Sequence, residues 1–168
     1  RYIPRMECRH AVYSMRHSVD GELKVNGESL CFRNGKGYME GDSGGSFPEK
    51  YAWTQHFLGD GSLMLAAATI PLGPICFTGT VCILYQKGRE YRFSTYLGAT
   101  VQKIGNGELF IRQGKYCLRV RFPRESGNVL RAPQSGKMTR RIRESVSCHA
   151  EYTLLCGDRI VFKTVTDK

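Results

Sequence analysis

The chain has 168 residues, 41% of them hydrophobic and 24% charged, and a formal net charge of +10. That length fits one domain able to bury a real core, and the composition is that of a globular protein. No apolar run approaches the roughly 20 residues of a membrane-spanning helix, and the reading is one domain over residues 1–168.

The chain begins "RYIPRMECRH", with no initiator methionine and no signal-peptide pattern. It reads as cut from something longer, so a missing N-terminal domain of the same protein is the expected partner. Turn signals then follow at short intervals: Asp20-Gly21, Asn26-Gly27 and Asn34 to Gly37. Asn-Gly and Asp-Gly supply the positive φ that two-residue hairpin turns require.

Next comes "GYMEGDSGGSFP", Gly37 to Pro48. Its G-D-S-G-G run matches the surroundings of the nucleophilic serine in trypsin-like proteases. Only 42 residues precede Ser43, however, and they hold only His10 and His17 as bases. A nucleophilic serine needs a placed histidine and a carboxylate behind it, so the run reads as a tight loop. Glu40 and Asp42 are the acids at its entrance.

"YAWTQHFL", Tyr51 to Leu58, alternates with strand period. Tyr51, Trp53, Gln55 and Phe57 share one face, which is expected to look inward, with Thr54 and His56 pointing away. A buried amide must find partners, so Gln55 is read as either a structural hydrogen-bonder or a ligand contact. After Asp60-Gly61, "PICFTGTVCILY" suits a buried strand, and "REYRFSTYLG" alternates again beyond Lys87-Gly88. Asn106-Gly107 and Gln113-Gly114 bracket another strand. "YCLRVRF" is the clearest case, with Tyr116, Leu118, Val120 and Phe122 on one side and Arg119 and Arg121 on the other. "RAPQSGKMTRRIR", Arg131 to Arg143, concentrates five Lys/Arg and no acid. No RNA-recognition, KH or helix-turn-helix pattern accompanies it. An exposed basic strand is therefore preferred to a nucleic-acid site, and contact with a membrane surface stays open. Gly157-Asp158 marks the last turn.

Roughly ten short strands joined by tight turns make an antiparallel meander, which must close on itself or stack to cover its edges. The expected fold is all-β, a meander closing into a lipocalin-like barrel, and barrels of this size commonly enclose a small ligand. The seven cysteines form no C-x-x-C, and no His/Cys pair has zinc spacing. Most sit in apolar runs, so a reducing, cytoplasmic compartment with no disulfide and no metal is expected.

Two blocks carry a family resemblance. "DGELKVNGESLCFRNGKGYMEGDSGGSFPEKYAWTQHFLGDGSLML" resembles a segment of the tocopherol cyclase family through Gly27, Glu28, Phe32, Gly44, Gly45, Phe47, Pro48, Trp53 and Gln55. "LRAPQSGKMTRRIRESVSCHAEY" resembles that family's P-L-R-A-P block and following strand through Leu130, Arg131, Ala132, Pro133, Ser147 and Cys148. Bacterial members that share "MECRHAVYSM" are about twice this length, and the chain looks like their C-terminal half. The family is related to carotenoid-hydratase-like proteins with two consecutive lipocalin-like barrels. Where plant members have Trp this chain has Ser43, and His56 stands in place of their Cys.

The resemblance implies a small apolar ligand of isoprenoid or prenyl-quinone type, with no cofactor. Two function classes stay open. One is a binding or non-catalytic domain, with Tyr51, Trp53, Gln55 and Phe57 against the ligand. The other is a cyclase or hydratase that protonates a prenyl alkene, which needs a sequestered carboxylic acid and benefits from aromatic faces. Glu40 is then preferred to Asp42 as that acid, because Tyr38 and Met39 give it an apolar approach. A nucleic-acid-binding barrel is the distant third.

Overall fold

The computed structural model describes residues 8–72, 74–122 and 127–166. They form thirteen strands and a single 3-10 turn, Thr95–Leu97. Two compact units are present: the hairpin Arg9–Ser43, and the chain from Gly44 onward together with Cys8.

The hairpin pairs β1 (Cys8–Val25) with β2 (Glu28–Gly44). Asn26 and Gly27 form its tip with φ of 52° and 87°, as the Asn-Gly signal requires. The other two expected turns, Asp20-Gly21 and Asn34 to Gly37, lie inside the strands. They face each other as irregularities, Gly21 at φ 146° and Asn34 at φ 49°, and the Asn34 N–H donates to Asp20 Oδ1 at 2.7 Å. Local chemistry that breaks a strand here bends one long ribbon instead.

The second unit contains two larger sheets and one hairpin. The four-stranded sheet has the order β3-β4-β5-β6, with β3 Lys50–Leu58, β4 Gly61–Leu72, β5 Ile75–Gln86 and β6 Arg89–Ser94. The five-stranded sheet has the order β13-β12-β9-β8-β7, with β7 Thr100–Gly105, β8 Glu108–Gln113, β9 Tyr116–Arg121, β12 Ala150–Cys156 and β13 Arg159–Thr166. The hairpin is β10 (Asn128–Gln134) with β11 (Lys137–Glu144). Neither sheet closes through its ladder. The chain is thus an all-β antiparallel structure of separate sheets, and the described ladders do not form a closed barrel.

The two larger sheets share one core. Leu63, Leu65, Leu84 and Phe93 from one meet Leu118 and Leu154 from the other, all 2% exposed or less. β9 shows why: Leu118 and Val120 are buried while Arg119 and Arg121 are exposed. Alternation sends every second side chain inward. Two-residue turns hold the register, with Lys87-Gly88, Asn106-Gly107 and Gly157-Asp158 where the sequence puts them. The β3–β4 turn sits one residue early, at Gly59-Asp60, with Gly59 at φ 61°.

That turn sets the phase of β3. Its register pairs Thr54 with Leu65 and His56 with Leu63, and both leucines are core. Thr54 and His56 are accordingly 2% and 4% exposed. The expectation that Trp53 and Gln55 face the main core, with Thr54 and His56 turned away, is reversed. β4 explains the misreading. It is buried on both sides, Leu63 and Leu65 on one and Ser62 and Met64 on the other, so both faces of β3 have apolar neighbours and alternation alone does not choose between them.

No disulfide joins any of the seven cysteines. Among the described residues no helix is long and apolar enough to cross a membrane.

Candidate functional site

The second face of β3 carries Tyr51, Trp53, Gln55 and Phe57, all half-buried. Across the ladder they meet Ala68, Ala66, Met64 and Ser62 in turn. Across the ladder Trp53 and Tyr51 therefore face alanine methyls. Gln55 lies between the rings, opposite the fully buried Met64. Its Nε2 is buried and has no acceptor among the described residues. An amide nitrogen carries two N–H donors, and leaving them unmet in an apolar setting costs about 1–3 kcal/mol.

The glycine-rich stretch leads into this strand. The Phe47 N–H donates to Pro133 O at 2.8 Å, and Gly45 O accepts from the Gly136 N–H at 2.7 Å. Ser46 Oγ accepts from the Ser135 N–H at 3.0 Å. The segment before β3 is thus tied to the tip of the β10–β11 hairpin, more than eighty residues later in the chain. Phe47 packs edge-on against Tyr51 with ring centroids 4.8 Å apart. The Tyr51 hydroxyl donates to Glu144 Oε1 at 3.1 Å. Burial, then the Glu144 charge and this bond, push the Tyr51 phenol well above its ordinary range, so it stays a donor. Glu144 is therefore a partner of Tyr51. Arg131 faces Arg141 across the ladder.

The core side of β3 holds a different polar group. Thr54 Oγ1 and Tyr152 OH share a 2.6 Å hydrogen bond. His56 Nε2 lies 3.3 Å from Thr166 Oγ1 and 3.7 Å from Cys148 Sγ. Burial pushes the Cys148 thiol up, which keeps it from being a thiolate nucleophile. This cluster satisfies buried polar atoms and is structural.

In the first unit, Tyr38, Glu40 and Asp42 alternate along β2 and so share a face. The Tyr38 hydroxyl donates to Glu40 Oε2 at 2.6 Å. From β1, His10 Nδ1 lies 2.9 Å from Asp42 Oδ1 and His10 Nε2 lies 3.5 Å from Glu40 Oε2. The latter is an ionic contact when the ring is protonated and falls outside hydrogen-bond geometry. The Glu40 side chain is the more sheltered acid, 22% exposed against 43% for Asp42. Tyr38 is held above the ordinary phenol range, first by burial, then by its bond to Glu40 and the two carboxylate charges. Glycines make room on the opposite face: Gly37 leaves space for the His17 ring and Gly41 for the Tyr13 ring, whose Cε2 would lie 3.3 Å from a Cβ.

Sequence reasoning named Glu40 and Asp42 and missed that His10 bridges toward both. The available signal was strand pairing: a hairpin with its tip at Asn26-Gly27 brings the start of β1 back to the end of β2. Among the described residues no group of three or more His, Cys, Asp or Glu side chains is placed to hold a metal ion. No protein-family model, curated protein or solved structure matches the chain.

Proposed function

We propose that this chain is a tocopherol-cyclase-like, lipocalin-like domain that binds an apolar isoprenoid or prenyl-quinone-type ligand on the Tyr51–Trp53–Gln55–Phe57 side of β3. The observation that carries this reading is the buried, unmet Nε2 of Gln55 among three aromatic rings. A quinone or phenol oxygen is the acceptor such a donor lacks, and the rings offer contact area to a prenyl chain. The hydrogen bonds from Gly45–Phe47 to the Pro133–Gly136 tip lend support, because they join the two sequence blocks on which the resemblance rests. Two sheets around one core support a barrel-related ancestry, and seven cysteines outside any disulfide fit a reducing compartment.

Trp53 is the sole tryptophan, so its fluorescence reports the face directly. Titration with a prenylated benzoquinone is expected to give saturable quenching. Gln55→Leu is expected to weaken binding about tenfold, the worth of one hydrogen bond. The same change should raise thermal stability, because it removes an unmet donor. Unchanged affinity in Gln55→Leu would place the ligand elsewhere, and absence of quenching by several such quinones would end the reading.

A second reading, ring closure on a prenylated hydroquinone, is favoured by one specific observation. Glu40 is the more sheltered of the two acids, its side chain 22% exposed against 43% for Asp42. A carboxylic acid there would protonate the trisubstituted alkene; the phenol oxygen would then capture the tertiary cation and lose its proton. In turnover assays of the full-length protein, Glu40→Gln should lower the rate about 100- to 10,000-fold, the range for loss of a general acid, with Asp42→Asn milder. Equal turnover in both variants and the parent would remove Glu40 from the role.

A further inference from the structure

The β10–β11 hairpin carries a feature that ligand binding does not use. Its register places Arg131 directly opposite Arg141, with Val129 opposite Arg143 beside them. Directly opposed residues share a face, so three guanidinium groups lie on one side of a two-stranded ribbon. All three are exposed, whereas Ala132 is buried and Arg140 and Ile142 are half-buried on the other side. Like charges directly across a ladder repel, and among the described residues no carboxylate pairs with Arg131, Arg141 or Arg143. Arg143 donates to the Gly127 carbonyl at 3.1 Å, a neutral acceptor that brings no opposite charge.

Apolar side chains stand exposed along the same segment: Val129 at 47%, Met138 at 56% and Val146 fully so. Between Gly127 and His149 there is no Phe, Tyr or Trp. A single-stranded nucleic acid would need such rings as stacking platforms. Guanidinium groups beside protruding aliphatic side chains match a phospholipid interface instead. The arginines meet phosphates, and the aliphatic groups enter the headgroup boundary.

We propose that the outward face of the β10–β11 hairpin docks on an anionic phospholipid membrane. The surface charge of the bilayer removes the Arg131–Arg141 repulsion, and Val129, opposite Arg143, contributes buried apolar area. This holds whether or not β3 binds a ligand.

The test is co-sedimentation of the full chain with vesicles of equal parts phosphatidylglycerol and phosphatidylcholine, against vesicles of phosphatidylcholine alone. Binding is expected only to the anionic vesicles, and it should weaken as salt is raised. Arg131→Gln/Arg141→Gln/Arg143→Gln should lose about fivefold in partitioning per arginine, on the order of 100-fold together. The charge-matched variant Arg112→Gln/Arg159→Gln/Lys163→Gln, also at exposed positions, should lose far less. Val129→Ser should weaken binding with unchanged salt dependence, which separates insertion from charge attraction. A far-UV spectrum unchanged in each variant shows that folding is intact. Equal losses in the two triple variants would reduce the effect to net charge and overturn the proposal. So would failure to bind the anionic vesicles. Tighter binding to a double-stranded oligonucleotide, lost in the first triple variant, would reassign the face to nucleic acid.

Discussion

Tyr152→Ala is expected to destabilise the second unit by about 3–5 kcal/mol, the range for removing a large buried aromatic side chain. Tyr152 is wholly buried on β12 and is the largest side chain in the core. Its ring meets His56 edge-on at 5.6 Å, and its hydroxyl bonds Thr54 at 2.6 Å. It thus closes the contact between the two sheets and satisfies a polar atom of β3 in one step. For a unit of this size the loss corresponds to a fall in melting temperature of about 10 °C or more. Tyr152→Phe keeps the packing and leaves the Thr54 hydroxyl short of its partner, so about 1–2 kcal/mol should be lost.

The phenol also gives a pH signature. Burial raises the Tyr152 pKa above its ordinary value of 10.0, so the folded state favours the neutral form. That contribution is complete below pH 10 and is lost as the pH rises beyond it, because the unfolded chain ionises first. Tyr152→Phe should therefore flatten the alkaline fall in stability. Chemical denaturation followed by circular dichroism at neutral and alkaline pH reads all of these effects. A loss under 1 kcal/mol in Tyr152→Ala would show that Tyr152 is not the sheet-to-sheet contact described.

Gly61→Ala is the second large effect, expected at about 3 kcal/mol or more. Gly61 opens β4 beside the C-terminal end of β5. A Cβ there would overlap the Tyr85 carbonyl oxygen, and would lie 2.7 Å from Gln86 Oε1 and 3.2 Å from Gln86 Cα. The obstacle is largely backbone, held by the β4–β5 ladder, so it does not move aside as a flexible side chain does. The neighbouring Gly59 needs its residue type for a different reason. Its φ is +61°, while a Cβ there would meet nothing within 4 Å. Asn tolerates that conformation, so Gly59→Asn should cost less than about 1 kcal/mol. Thermal melts of both variants check the contrast. Similar melting temperatures for the two would mean that the strands are not packed this closely at Gly61.

The sequence by itself determined the secondary-structure class and most of the punctuation. Period-two alternation in "YCLRVRF" and two-residue turns at Asn26-Gly27, Lys87-Gly88 and Asn106-Gly107 are local properties of the backbone, and the fold keeps them. It also named Glu40, Asp42, Gln55 and the aromatics around Gln55, since polar residues in apolar strands and acids beside glycines stand out without any structure. Tertiary structure decided the rest. Asp20-Gly21 and Asn34 carry turn chemistry, yet pairing over the length of β1 and β2 absorbs them as bends in one ribbon. The inward face of β3 was settled by the Gly59-Asp60 turn and by a neighbour, β4, that is covered on both sides; sequence alternation could not separate two apolar environments. The partnerships His10 with Asp42, Tyr51 with Glu144, and Thr54 with Tyr152 join residues 32, 93 and 98 positions apart. Such contacts are set by register and sheet packing, which belong to the whole chain and leave no periodic trace in any one segment of it.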